Sequence, residues 1–156
     1  MKIAPFSTEH FYARYEFSTP YQLCNSDCET LNVAELLALA GTSLEEFGRL
    51  PLGYTESHGN PRLREAIAAI YSNIQSEEVI VLATPVEGIF LVANALLNPD
   101  DEVVALCPAY DALLNTFEYV VGESNVKLWR FKTADNHWEL DLDELEALIT
   151  PRTKML

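Results

Sequence analysis

The stretch from Glu78 to Tyr110 leaves this chain few folds to choose from. It opens with Val79 to Ala83, a β-branched apolar run of strand length, and passes directly into Thr84-Pro85-Val86-Glu87. Threonine is a favoured N-cap, and proline suits the first helical position, where its missing N–H costs nothing. Glutamate three residues after the cap is spaced to close a capping box. Gly88 to Leu97 carries the helical pattern, Asn98-Pro99 ends it, and Glu102 to Cys107 is a second apolar run of strand length. Strand, helix and strand in this order predict a parallel βαβ unit.

The same alternation continues to the end of the sequence. Strands are expected at 79–83, 102–107 and 126–131, helices near 85–97, 110–121 and 142–149, and a last strand from about Thr153. Asp141 and Glu144 have the spacing of a further capping box. The expected fold class is therefore α/β, a three-layer arrangement of a parallel-type sheet with flanking helices. At 156 residues, nearly half of them hydrophobic, the chain can bury one sizeable core.

Residues 1–50 read differently, as a helical N-terminal arm ahead of an incomplete sheet domain at 51–156. Ser7 to Phe17 is an aromatic-rich helix, expected to pack against the domain or a partner subunit. Residues 18–30 form a turn-rich connection. Asn32 with Glu35 is spaced to cap a helix over Val33 to Ala40, which Gly41 closes, and Ser43 with Glu46 repeats the pattern. Pro51 to Asn60 is a loop. Asn60-Pro61 then opens a helix to about Asn73, with Ala66, Ile67, Ile70 and Tyr71 as its buried stripe.

The βαβ unit also points to a site. A helix start at the carboxyl edge of a parallel sheet presents free N–H groups and a positive dipole end to anions. In open α/β sheets ligands bind at that edge. Thr84, Pro85, Val86 and Glu87 form the helix start, and Tyr110 leaves the same edge one strand over. A phosphate seat beside a flat ring predicts a planar phosphorylated ligand. Pro85 has no N–H to offer that phosphate, and Glu87 repels it if turned inward.

Other chemistries are disfavoured. The net charge of −14, from 24 acids against 10 bases, makes a poor surface for nucleic acid or anionic membrane. Cys24, Cys28 and Cys107 have no framework spacing, which fits a reduced, cytoplasmic setting, and His10, His58 and His137 are scattered, so no metal site is expected. The longest apolar stretch is broken by Thr84, Pro85, Glu87 and Asn94 and is no membrane span. No G-x-G-x-x-G, Walker loop or nucleophile elbow occurs, which speaks against a stand-alone nucleotide or phosphate binder. Ser124-Asn125-Val126-Lys127 offers an S-x-x-K spacing, but Lys127 begins a predicted strand and reads as a surface lysine.

Three segments in register resemble a known family, the fold-type-I pyridoxal-phosphate (PLP) enzymes and, within them, the class I/II aminotransferases. Gly53-Tyr54 followed by Gly59-Asn60-Pro61-Arg62-Leu63-Arg64-Glu65-Ala66-Ile67-Ala68 is similar to the family's G-Y-x-x-x-x-G-x-x-x-L-R-x-A-I-A segment. Thr84 to Asn94 is similar to its phosphate-binding turn. Leu97 to Val103 with Pro108-Ala109-Tyr110 is similar to its L-x-P-G-D-E-V…P-x-Y segment. The resemblance implies PLP as cofactor, stacking of Tyr110 on its ring, phosphate contact at Thr84 to Glu87, and Tyr54 reaching the cofactor of a neighbouring subunit. It further implies amino-acid and keto-acid substrates and a homodimer whose interface the arm crosses.

The family's cofactor-bonding lysine, pyridine-binding aspartate and carboxylate-binding arginine correspond to positions beyond Leu156. No catalytic residue is named in this chain, since Lys2, Lys132 and Lys154 have no better claim than Lys127. The expectation is therefore the N-terminal part of an aminotransferase-like enzyme, inactive in isolation, whether as a fragment, a truncated product or one half completed by a C-terminal half. A non-catalytic dimerisation or complementing module is the alternative.

Overall fold

The computed structural model describes residues 3–134 and 137–156, so Lys2 lies outside the described residues. In chain order the helices are α1 Ser7–Tyr15, α2 Val33–Leu39, α3 Leu44–Phe47, α4 Pro61–Ala68, α5 Pro85–Leu96, α6 Asp111–Val121 and α7 Leu142–Leu148. The strands are β1 Glu102–Cys107, β2 Val126–Arg130, β3 Lys132–Ala134, β4 His137–Glu139 and β5 Thr153–Met155. Two compact units result. One combines the residues up to Pro20 with Leu82–Leu156, and the other is Tyr21–Val81.

In the first unit β1 is the central strand, parallel to β2 on one side and to β5 on the other. Val103 and Val104 point to opposite faces of the pleat, and each is only 1% exposed, so both faces of β1 are covered. Ala93 of α5, Leu97 just past it, and Phe117 and Val121 of α6 pack with Val103 as the core. Burying a side chain the size of Phe117 contributes about 2–3 kcal/mol. This is the α/β sheet with flanking helices that the sequence pattern predicts. The pattern does not reveal the antiparallel ribbon β3–β4, whose three-residue arms are too short for a periodic signal. Trp138 of β4 meets Phe131 edge-on at 5.7 Å.

The strand expected at 79–83 does not form. A strand needs a ladder partner, and this segment pairs with no strand of the β2-β1-β5 sheet. Its backbone bonds elsewhere: the Val81 N–H donates to the His58 carbonyl at 2.9 Å, inside the second unit.

In that second unit the segment resembling the family motif proves to be a small structural device. Asn60 caps α4 by accepting from the Arg62 and Leu63 N–H groups, with Pro61 at the first helical position. Arg64 donates to the carbonyls of Val79 and Ser76 at 3.0 and 2.6 Å, tying the helix to the chain that follows it. Gly59 sits at φ +108°, and a Cβ there would lie 2.6 Å from the Val81 side chain. Gly59→Ala is therefore expected to destabilise this unit by about 2 kcal/mol, through backbone strain and overpacking together. A shift in the urea midpoint, followed by circular dichroism, checks it.

Two expectations about helices need correction. α4 ends at Ala68 rather than near Asn73. Its buried residue is Ala68 itself, whereas Ala66, Ile70 and Tyr71 are exposed and Ile67 is half-buried. Capping boxes also close less often than their spacing implies. Asn32 and Glu35 form a full reciprocal box. Thr84, Ser43 and Asp141 each cap their helix, but the reciprocal glutamates go elsewhere: Glu87 to the Ala83 N–H, Glu46 to the Thr42 hydroxyl and Glu144 to Lys132. A neighbouring donor within reach outcompetes the cap's own N–H.

Candidate active site at the carboxyl edge of the sheet

β1 delivers its last residues to the carboxyl edge, where the Cys107–Pro108 peptide bond is cis. Tyr110 follows as the extended residue before α6, half-buried. A cavity of about 590 Å³ opens there between Gly88, Ile89 and Val92 of α5 and Pro108, Ala109 and Tyr110 of the turn. Its walls are almost wholly apolar, and its size is that of a small-ligand or cofactor pocket. Gly88, Ile89 and Val92 of α5 and Tyr110 thus line one space, whereas Thr84, Pro85, Val86 and Glu87 are not among its lining residues. Tyr54 belongs to the second unit, where it is fully exposed in the loop before α4.

The helix start is occupied largely by its own chain. The Thr84 hydroxyl accepts from the Glu87 N–H at 3.3 Å, and Gly88 N–H bonds the Thr84 carbonyl at 3.4 Å. Pro85 gives nothing. Val86 holds the remaining first-turn N–H. The Glu87 carboxylate accepts from the Ala83 N–H at 2.9 Å and so places negative charge at the same turn.

Tyr110 has a partner that sequence reading missed. Its hydroxyl donates to the Glu9 carboxylate of α1. That bond, with burial and the charges of Glu9 and Asp111, pushes the phenol up to about 12. Next to it, the Thr8 N–H donates to Asp111 Oδ2 at 3.1 Å, and Asn115 donates to the Pro5 carbonyl at 3.1 Å. Nothing in the spacing of residues a hundred positions apart could have signalled these pairs.

The opposite edge of the same strand holds a second missed cluster. Glu102 is buried, with a side chain only 5% exposed. It accepts from Lys127 Nζ and the Thr150 hydroxyl, each at 2.6 Å, and pairs with Arg152. Lys127 also donates to the Leu148 carbonyl at 3.1 Å. Lys127 is therefore no surface lysine: it is a structural cation with its ammonium engaged. It pairs in register with Val104, three residues short of the end of β1, roughly 10 Å from the carboxyl edge. Lys132 is held by Asp141 and Glu144 at 2.8 and 2.9 Å, which raises its pKa, and Lys154 is exposed. Among the described residues no lysine lines the cavity, and no group of three or more His, Cys, Asp or Glu is placed to hold a metal ion.

Residues 23–156 match the family model of aminotransferase class I and II. The chain belongs to that family. Among curated relatives, this aminotransferase-family chain is 31% identical over 109 residues to arginine–pyruvate transaminase AruH of Pseudomonas aeruginosa, a match covering 66% of this chain and 27% of the relative. It is 34% identical over 110 residues to an aspartate aminotransferase of Sulfolobus acidocaldarius, covering 66% and 27%. The chain thus spans about a quarter of the length of the curated relatives it matches. Among solved structures, a PLP-dependent aminotransferase from Streptococcus suis superposes with a TM-score of 0.81 at 29% identity, covering 98% of this chain and 41% of that one. The PLP-dependent cyclase OrfR superposes at 0.82 with 25% identity, covering 98% and 39%.

The family suggests PLP, and the residues can be tested against it. A half-buried aromatic ring on an apolar cavity at the carboxyl edge fits the flat face of the cofactor. The fit is weaker at the helix start, which does not line the cavity and where the Glu87 carboxylate adds negative charge. The fit is to the ring.

Proposed function

We propose that this chain is the N-terminal part of a PLP-dependent aminotransferase that passes an amino group from an amino acid to a keto acid. What carries the reading is the Tyr110 cavity at the carboxyl edge of a class I/II aminotransferase sheet. PLP supplies, when bound, the carbonyl and the electron-withdrawing ring that amino-group transfer requires. Tyr110 holds the ring face, while Thr84, Pro85, Val86 and Glu87 shape the phosphate end. The relatives, an arginine–pyruvate transaminase and an aspartate aminotransferase, support amino-acid and keto-acid substrates.

The isolated chain is inactive on this reading, because Lys127 and Lys132 are held in ion pairs and Lys154 is exposed on β5. Tyr54 serves the cofactor of a second subunit, and residues 1–50 act as an arm across a homodimer. The compartment is cytoplasmic, in keeping with cysteines that form no disulfide among the described residues. Among the described residues no helix is long and apolar enough to cross a membrane.

A second reading, a non-catalytic module completed by a longer chain, is favoured by the many large apolar side chains that stay exposed, Leu91, Leu96 and Ile70 among them. An absorbance titration of the chain with PLP, followed by borohydride reduction and mass spectrometry, separates the two. Reversible binding with no adduct concentrated on one lysine is expected. A stoichiometric adduct on one lysine would overturn the claim of inactivity, and absence of binding together with self-association would favour the module.

A further inference from the structure

We infer that Glu9 is a positioning residue for the cofactor site, orienting the Tyr110 ring through its hydroxyl and fastening helix α1 beside the cavity mouth. The inference rests on the cofactor reading above. Tyr110 stands in a turn between β1 and α6 and is only half-buried, so packing constrains its ring less than at a core position. The carboxylate of Glu9 removes that freedom by accepting a hydrogen bond from the phenol. α1 is itself placed by two further bonds to α6, from the Thr8 N–H to Asp111 and from Asn115 to the Pro5 carbonyl. These contacts, with a further one from Asn115 to the Ala4 carbonyl at 3.4 Å, make residues 4–9 a strap that reaches the candidate site through the Glu9–Tyr110 bond. Holding the ring before the ligand arrives reduces the ordering that binding must later supply.

Trypsin cleavage after Arg14, inside α1, reports whether the strap is docked. Glu9→Ala and Tyr110→Phe are each expected to speed that cleavage roughly fivefold, and the double variant no further, because both remove the same bond. Glu9→Gln keeps an acceptor for the hydroxyl and should cleave at the parent rate. PLP titration gives the second readout. Glu9→Ala should raise the half-saturating concentration roughly fivefold even though it removes a negative charge near an anionic ligand, and Glu9→Gln should bind at least as tightly as the parent. Equal cleavage in all variants would overturn the strap. Faster cleavage with unchanged PLP affinity in Glu9→Ala would overturn the positioning role alone. A parent chain that binds no PLP would overturn the cofactor reading and this role with it.

Discussion

Replacing Glu102 by alanine is expected to lower the thermal midpoint of the chain by roughly 10 °C, the largest effect of any single surface-distant charge in the molecule. The substitution leaves the Lys127 ammonium without its counterion in a half-buried place and frees Thr150 and Arg152 together. Those three partners come from β2 and from the turn that leads into β5, so one carboxylate joins both neighbours of β1. The same group gives the stability a defined acid dependence. Bonding to Lys127 first, then to Thr150 and Arg152, holds the Glu102 carboxyl at about 2 in the folded chain, below its ordinary value of about 4.3. A depressed folded-state value means that its contribution is complete above about pH 5 and decays as pH falls toward 2. Glu102→Gln should therefore show a shallower loss of melting temperature between those limits than the parent. Circular-dichroism melts at half-unit pH steps measure both effects, and parallel slopes would refute the assignment.

Tyr110→Ala should weaken PLP binding by at least about tenfold, more than any other single change at the cavity. It deletes the aromatic face, whose stacking is worth about 1 kcal/mol beyond its area, and it deletes the Glu9 bond at the same time. Tyr110→Phe keeps the face and loses only the bond, so it should fall between parent and alanine. Equal affinities for parent and alanine variant would exclude Tyr110 from the site.

Much of this architecture can be read directly from residue order. Val79 to Tyr110 shows a helix start, a helix stop and a buried strand, because proline, threonine and asparagine act locally and β-branched runs mark burial. The motif around Gly59 to Arg64 is likewise legible, and the structure supplies its physical reason in a close backbone approach, a cap and a two-point staple. What stayed hidden depends on pairing at a distance. Val79 to Ala83 has strand composition but no ladder partner, and composition cannot supply one. Glu102 and Lys127 read as an ordinary strand opening and an ordinary surface cation until β1 and β2 are laid side by side with Val104 opposite Lys127. Glu9 and Tyr110 are separated by a hundred residues, and only the docking of α1 brings them together.

The two ends of β1 do different work. Its first residue anchors the clamp of Lys127, Thr150 and Arg152, and its last leads into the turn that carries Tyr110, roughly 16 Å away along a six-residue strand. At that separation substitutions act nearly independently. Selection for a new ligand preference can therefore explore the carboxyl-edge loops without eroding the clamp. Directed evolution of such a scaffold would do well to leave Glu102 and its partners untouched and to spend its diversity from Pro108 onward.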